Sequence, residues 1–469
     1  MTDTHSTGEQ LQPEDVRYQD ALSFLYDRIN YERMASGTSR YPFRLKRITE
    51  LLRQLGLESY LYADSHQPKV PLVHIAGTKG KGSTAAMVAA ALTSAKLRTG
   101  LYASPHLHRL EERFRVDGQP CSCEQLISLV QRVKPITELV EQAIGSPSFF
   151  ELTTAIALLH FDAMECDAIV MEVGLGGRLD STNVCSPSVS AITSIGLDHQ
   201  QVLGNTLVEI AAEKAGILKA GVPVVSGVAD PGAAEVVAAR AAASGSPLFQ
   251  LGRDFDFDYH PMPDWGSAVD FHGSSPPFSR RESATLLVEG KHQARNAALS
   301  IAIIDLLRNQ GITIPSEAIK AGLGQLQCAA RIERVMLPED VVGIVDAAHN
   351  HDSIAALCDC LRGRLTGRRI AVVFGTSIDK SAEPMLELLA DINDEFVLTR
   401  FLGNPRSRPP AQLQPLVPAW IAEKTRVMED PIEACETALA SVTPGGALVI
   451  CGSFFLAAEC RGWLAAKSS

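Results

Sequence analysis

At 469 residues, 46% hydrophobic and 21% charged, the chain has the make-up of a globular protein too long for one ordinary core, so two domains are expected. Its formal net charge of −11 argues against nucleic acid as the main partner, because phosphate neutralisation needs a basic surface. The longest apolar runs, such as 85–92, fall far short of a bilayer span, and ten cysteines without CxxC or zinc spacing read as reduced thiols of a cytoplasmic protein with no membrane partner.

Residues 1–20 begin polar and acidic, carry no signal pattern, and are expected to be flexible. Beyond them, short β-rich apolar runs alternate with longer helical patterns, which predicts an α/β fold with a mainly parallel sheet. Strands are predicted at 71–76, 98–103, 168–173, 188–194 and 223–228. Helices are predicted at 80–96, 124–143, 151–165 and 206–220, the last stopped by Gly221 and Pro223. Residues 253–285 lose helical periodicity and read as a hairpin region inside a β-rich excursion over 246–290. Their aromatic content, Trp265 included, argues against a disordered linker. A helix returns at 291–309. A second series follows, with strands at 341–346, 369–374, 395–399 and 447–451. The boundary is expected near 322–330. It separates an N-terminal P-loop mononucleotide-binding domain (21–325) from a smaller C-terminal Rossmann-like α/β domain (331–469). The Pro/Arg-rich stretch 400–410 reads as a mobile loop.

The strongest local signal runs from Val73 to Thr84, where an apolar strand enters the turn Gly77-Thr78-Lys79-Gly80-Lys81-Gly82-Ser83 and then a helix of small residues. Glycines let backbone N–H groups converge on phosphate oxygens, and the helix N-terminus adds partial positive charge. Lys81 can reach terminal phosphates, and a hydroxyl at Ser83 or Thr84 can meet phosphate or magnesium. The spacing departs from G-x-x-x-x-G-K-[ST], with Gly82 directly after the lysine.

This turn resembles the ATP loop of the Mur-ligase superfamily, and its G-K-G-S form is similar to the folylpolyglutamate synthase/dihydrofolate synthase branch. Bacterial members usually carry Asn at position 79, whereas Lys79 is more like the eukaryotic enzymes. Further blocks match in order: Ser104-Pro105-His106-Leu107, Phe150-Glu151-Leu152-Thr153, Glu172 through Asn183, Leu197-Asp198-His199, Glu213-Lys214-Ala215-Gly216, and His292 through Ala297. The resemblance extends over residues 20–465. Two blocks depart by losing a glycine: P-G-R-x-E is here Ala329-Ala330-Arg331-Ile332-Glu333, and D-G-A-H-N is Asp346-Ala347-Ala348-His349-Asn350.

The resemblance implies an ATP-dependent ligase that joins L-glutamate to folates or dihydropteroate. ATP would be held by Thr78, Lys79, Gly80, Lys81, Gly82, Ser83, Asn296, Arg331, Asp346 and Ser453, and Mg2+ by Ser104, Glu172 and His199. Lys81, His349 and a carbamylated Lys214 would form the catalytic set. Phe150, Glu151, Leu152, Thr153, Leu179, Asp180 and Ser181 would receive the pterin-bearing acid, with residues 40–43 contributing. A monomer is expected, and closure about 322–330 should assemble the site. From the residues alone, Glu172 and His199 fall at the carboxyl edge of an open α/β sheet, where ligands bind. The rival readings are a strand-end surface carboxylate for Glu172 and a cap or core residue for His199, and Lys214 reads as one member of a solvated face with Glu209 and Glu213. Core packing is the rival account of Phe150 and Leu152. The alternative functions are a Mur-type ligase for another carboxylate, expected to carry a further substrate domain ahead of the loop, and a nucleotide-binding protein without catalysis.

Overall fold

Leu72–Ala76, buried at every position, forms the strand that starts the first sheet (β1). It is followed by β2 (Thr99–Tyr102), β3 (Phe114–Val116), β4 (Gln119–Pro120), β5 (Ala168–Glu172), β6 (Val189–Ile192), β7 (Val224–Ser226) and β8 (Leu248–Gln250). The computed structural model describes residues 16–30, 45–62, 69–274, 276–278 and 281–468. The chain divides into two compact units, one mainly Tyr41–Asp254 with Leu299–Ala318, the other mainly Phe255–Ala298 with Ile319–Ser469.

In the first unit the strand order is β4-β3-β2-β5-β1-β6-β7-β8. The six strands from β2 to β8 run parallel, and β3 and β4 are antiparallel additions at one edge. Helices α1 (Val16–Tyr26), α2 (Leu45–Gln54), α3 (Lys81–Ser94), α4 (Cys123–Ile144), α5 (Phe149–Ala163), α6 (Gln200–Leu203), α7 (Leu207–Ala215) and α8 (Pro231–Ala243) complete the unit. Central parallel strands are covered on both faces, which is why β1 and β5 are apolar runs and not alternating ones. The chain leaves β1 toward β2 on one side and reaches β6 on the other. The carboxyl ends of β1, β5 and β6 are therefore where a parallel sheet receives ligands.

Three expectations change here. Residues 16–20 are helical, because Tyr18, Ala21 and Leu25 of α1 bury into the core; residues 1–15 lie outside the described residues. Helix α7 ends at Ala215 and not at 220, where the chain passes into tighter turns, the Ile217 and Leu218 N–H groups donating to the Lys214 and Ala215 carbonyls. Strands β3, β4 and β8 were not expected, being two or three residues long and too short to show a period.

The second unit opens with an antiparallel sheet of β9 (Phe255–Pro261), β10 (Ser267–Gly273) and β11 (Arg281–Leu286). Phe255, Phe271 and Phe278 cluster on its inner face, with ring centroids 5.3–6.4 Å apart. A six-stranded sheet follows, made of β12 (Glu333–Leu337), β13 (Val341–Val345), β14 (Ile370–Phe374), β15 (Glu395–Leu398), β16 (Thr425–Val427) and β17 (Ala447–Cys451), in the order β12-β13-β17-β14-β15-β16. It is parallel except for β12. Its helices are α9 (Lys291–Asn309, shared with the first unit), α10 (Ser316–Gln325), α11 (His351–Arg364), α12 (Glu383–Ala390), α13 (Pro431–Ser441) and α14 (Phe454–Ala466).

The sheet β9–β11 groups with this second unit, whereas the expected division kept the whole excursion, 246–290, within residues 21–325; β8 stays with the first unit. A buried ion pair explains the grouping: Arg364 of α11 holds Glu289 at 3.1 Å, donates to the Gly266 carbonyl at 2.8 Å, and lies 5.5 Å over the Trp265 ring. The stretch 400–410 is irregular but firmly held. Arg406 pairs with Asp379 at 2.7 Å, Arg408 donates to the carbonyls of Ile378 and Lys380, and Glu459 accepts the N–H groups of Leu402 and Gly403.

Candidate active site

The phosphate loop is fixed to the end of β6 by its own backbone. The N–H of Thr78 donates to the Ser194 carbonyl at 2.8 Å and that of Lys79 to Ser194 Oγ at 2.9 Å. The Lys79 carbonyl accepts from the hydroxyls of Thr193 and Ser194 at 2.6 and 3.0 Å. Gly77 makes the approach possible, since a Cβ there would lie 2.0 Å from Thr193 Oγ1. Thr78 and Lys79, expected as ATP contacts, thus spend their amides on the protein and anchor the loop. Gly80 takes φ 82 as the N-cap of α3 and provides no side-chain cap. The first-turn amides of Lys81, Gly82 and Ser83 have no intrahelical acceptor, and this is the anion-binding end of the loop.

Glu172 ends β5 with only 4% of its surface exposed. Its carboxylate accepts the Ser104 N–H at 3.1 Å and stands beside the loop, 3.4 Å from where a Cβ on Gly82 would be. A buried anionic oxygen pair against a phosphate-binding turn is the donor chemistry that suits magnesium. His199 sits at φ 50 as the N-cap of α6, 44% exposed at the side chain, with Asp198 Oδ1 4.0 Å away. Among the described residues no three His, Cys, Asp or Glu side chains are grouped to hold a metal, so the chain's own fit to magnesium rests on Glu172 beside the loop.

Lys214 is 4% exposed in α7, not part of a solvated face. Burial, reinforced by the charge of Lys81, pushes its ammonium down to about 7, against the opposing pull of Asp198 and Asp180. Glu213 instead pairs with Arg178 at 2.8 Å, and Glu209 caps the helix at Thr206. The glycine turn after Glu172 seats this helix. An added Cβ on Gly177 would stand 2.9 Å from the Glu213 carbonyl oxygen, and the Arg178 N–H donates to that oxygen at 2.8 Å.

Of the residues expected to receive the acid, Phe150 fits best: it is half-buried, tilted against Tyr102 at 5.7 Å, and its ring occupies the space above Gly174. Leu179 is also half-buried. Glu151 has other work. It completes a capping box with Ser148 and pairs with the buried Arg47 at 3.2 Å. The leucine at 152 lies in the core, and the Thr153 hydroxyl meets Tyr102 OH at 2.8 Å. These three are buried because α5 is covered on almost every side, Phe150 alone of residues 149–161 being half-buried. Asp180 and Ser181 are buried too. Asp180 caps the 3-10 turn Ser181–Val184 and accepts the Leu175 N–H at 2.9 Å. Residues 40–43 lie outside the described residues.

Gly174 yields a direct test. A Cβ there would stand 2.3 Å from Phe150 Cζ, so the half-buried ring has to shift. Gly174→Ala is expected to raise the KM for the acid about tenfold through displacement of the ring while leaving the melting temperature within a few degrees. A KM unchanged in steady-state assays would remove Phe150 from the acid site.

Sequence reasoning missed Tyr102, Arg47 and a buried cluster in which Arg113 donates to His106 Nδ1 at 2.8 Å and lies 5.1 Å over the Phe149 ring. The legible signal nearby was the capping-box pattern Ser148-Phe149-Phe150-Glu151, which fixes the start of α5 and not the partners of Glu151.

In the second unit, Asp346 is buried at the end of β13. It accepts the N–H groups of Ile332 and Ala348, each at 2.7 Å. Burial raises its carboxyl, and the nearby Arg331 opposes the shift. The glycine lost at 330 is replaced by an alanine that still takes the left-handed conformation, at φ 52. His349 shares a hydrogen bond of 2.8 Å between Nδ1 and the Ala347 carbonyl. Asn296 donates to Gln293 at 3.1 Å, and Ser453 caps α14 by accepting the Phe455 N–H.

Residues 75–304 match the Mur ligase middle domain and residues 330–454 the glutamate ligase domain of Mur ligases. The chain is 36% identical to a dihydrofolate synthase/folylpolyglutamate synthase of Bacillus subtilis, over 80% of this chain and 83% of that one. It is 33% identical to a folylpolyglutamate synthase of Lacticaseibacillus casei, over 89% and 93%. The structure of a Mycobacterium tuberculosis folylpolyglutamate synthase complexed with ADP superimposes with a TM-score of 0.84 at 29% identity, covering 96% of this chain and 98% of that one. With the loop, Glu172 and the buried Lys214 in this fold, the chain belongs to the folylpolyglutamate synthase/dihydrofolate synthase family of ATP-dependent Mur-type ligases.

Proposed function

We propose that the protein joins L-glutamate to folates, to dihydropteroate or to both, at the expense of ATP. The observation that carries this reading is the meeting of an uncapped helix N-terminus, Lys81, the Glu172 carboxylate and a desolvated Lys214 at one edge of a parallel sheet. In the reaction, a carboxylate oxygen of the acid bonds to the γ-phosphorus of ATP as the bridging P–O bond breaks and ADP leaves. The glutamate amine then attacks the acyl-phosphate carbonyl, loses its proton, and phosphate departs from the tetrahedral centre. Both partners in the first step are anions, so the amides of Lys81, Gly82 and Ser83 and the Lys81 ammonium act by spreading that charge. Magnesium, when bound, would further neutralise the phosphate oxygens, with Glu172 as the oxygen ligand and Ser104 and His199 on the adjoining turns. Asp346, Arg331, Asn296, Ser453 and His349 are the proposed nucleotide-facing residues of the second unit.

Lys214 is proposed to carry a carbamate. Its neutral amine forms an N–C bond to CO2 and releases one proton, turning a cation into an anion beside the loop. A lysine held near 7 supplies that neutral amine at physiological pH, which an ordinary lysine near 10.5 does not. With 13C-labelled CO2, a carbamate resonance should grow as pH rises through about 7 and be missing from Lys214→Met. Identical spectra from the two proteins would defeat the assignment.

A monomeric, cytoplasmic enzyme is the accompanying proposal. All ten cysteines are free, in keeping with a reducing compartment, and among the described residues no helix is long and apolar enough to cross a membrane. The deciding assay offers purified protein ATP, magnesium and glutamate with dihydropteroate or tetrahydrofolate, and reads product mass. ADP release that requires both glutamate and the acid supports ligation. Nucleotide binding with neither ADP release nor a new amide would leave a nucleotide-binding protein.

A further inference from the structure

His74 lies in the middle of β1, fully buried, with no part in the chemistry above. Its Nε2 is 2.8 Å from Thr182 Oγ1, and Thr182 Oγ1 donates to Asp180 Oδ1 at 2.5 Å. The Thr182 N–H donates to the same oxygen at 3.0 Å, while Asp180 Oδ2 accepts the Leu175 N–H at 2.9 Å. Proton bookkeeping fixes the direction of this chain. Burial pushes the Asp180 carboxyl up, and the N–H groups of Leu175, Thr182 and Gly174 with the Thr182 hydroxyl oppose that rise; toward these donors it is the acceptor. Thr182 has one hydroxyl proton and gives it to Asp180. Nε2 of His74 must therefore carry the proton that points at Thr182, which makes Nδ1 the bare nitrogen. Nδ1 is in fact buried without a hydrogen-bond partner. The ring stays neutral, because burial and the charge of Lys219 hold its pKa down to about 3.

The far end of the chain is the turn Gly174-Leu175, two residues beyond Glu172 and the floor beneath the Phe150 ring. We propose that His74 is a positioning residue for the ligase reaction: through Thr182 it locks the Asp180 carboxylate onto the Gly174-Leu175 turn, and so sets the acid-binding floor relative to the phosphate strand. The strand that delivers the phosphate loop thereby also determines where the acceptor acid sits. Asp180, expected to touch the acid, is also the middle of this relay, accepting from the Leu175 N–H, the Thr182 N–H and the Thr182 hydroxyl.

The inference rests on the ligase reading, and the test separates the two. If wild-type protein forms no amide, that reading fails. With wild type active, four variants judge the relay. His74→Phe and Thr182→Val remove the two side-chain donors, and each should lower kcat/KM for the acid about tenfold while the KM for ATP stays within about twofold. The double variant should be no worse than the poorer single one, because both break one chain. His74→Gln, whose amide N–H can reach Thr182, should recover to within about threefold of wild type. Losses that add in the double variant, ATP and acid KM values rising in step, or a Gln variant as poor as Phe would overturn the relay. Thr182→Val exchanges a hydroxyl for a methyl at constant volume, so it carries the test if His74→Phe does not fold.

Discussion

Lys81→Met is expected to reduce amide formation by roughly 10³-fold, the scale of losing one charged donor from a preorganised phosphoryl-transfer site. The side chain leaves the first turn of α3, where Gly80 provides no cap and the free amides already mark an anion site. A second readout follows from geometry. Lys81 is one of the two causes that push Lys214 down to about 7. Without that neighbouring cation, Lys214 keeps its proton to higher pH, and its 13C carbamate resonance should weaken at neutral pH. Loss of activity with an unchanged carbamate signal would mean that the two lysines act independently. Amide formation within about threefold of wild type would remove the phosphate loop from the reaction altogether.

Glu172→Gln should lower kcat by about 10²-fold and shift the magnesium requirement upward, because one charged oxygen ligand becomes a neutral amide. The substitution keeps the acceptor that receives the Ser104 N–H and takes a charge out of a 4% exposed position. The folded state should therefore be no less stable, and the melting temperature separates a chemical defect from a structural one. A magnesium titration that superimposes on the wild type would show that the carboxylate does not serve the metal.

The loop from Gly77 to Ser83, the central strands of both sheets and helix α9 were readable because each is local. A buried parallel strand is a continuous apolar run, and a phosphate turn is a short arrangement of glycine and lysine that needs no distant partner. Glu151 shows where locality stops. Its neighbour Phe150 faces the site while Glu151 turns to Arg47, a difference of one residue in helical phase that motif matching does not resolve. The same limit applies to the three-stranded sheet at 255–286. Its β character was foreseen as a hairpin region, but its three strands were not placed individually, and its grouping depends on the Arg364–Glu289 pair across 75 positions.

By itself the sequence determined the α/β class, the family and the residues of the phosphate loop, since chain order and short-range spacing carry that information. Tertiary structure alone decided that Thr78 and Lys79 anchor the loop, that Lys214 is desolvated beside Lys81, and that His74, Thr182 and Asp180 form one chain. These are properties of burial and of hydrogen-bond direction between segments about 100 residues apart, and the same side chains in water would have ordinary charges and no fixed partners.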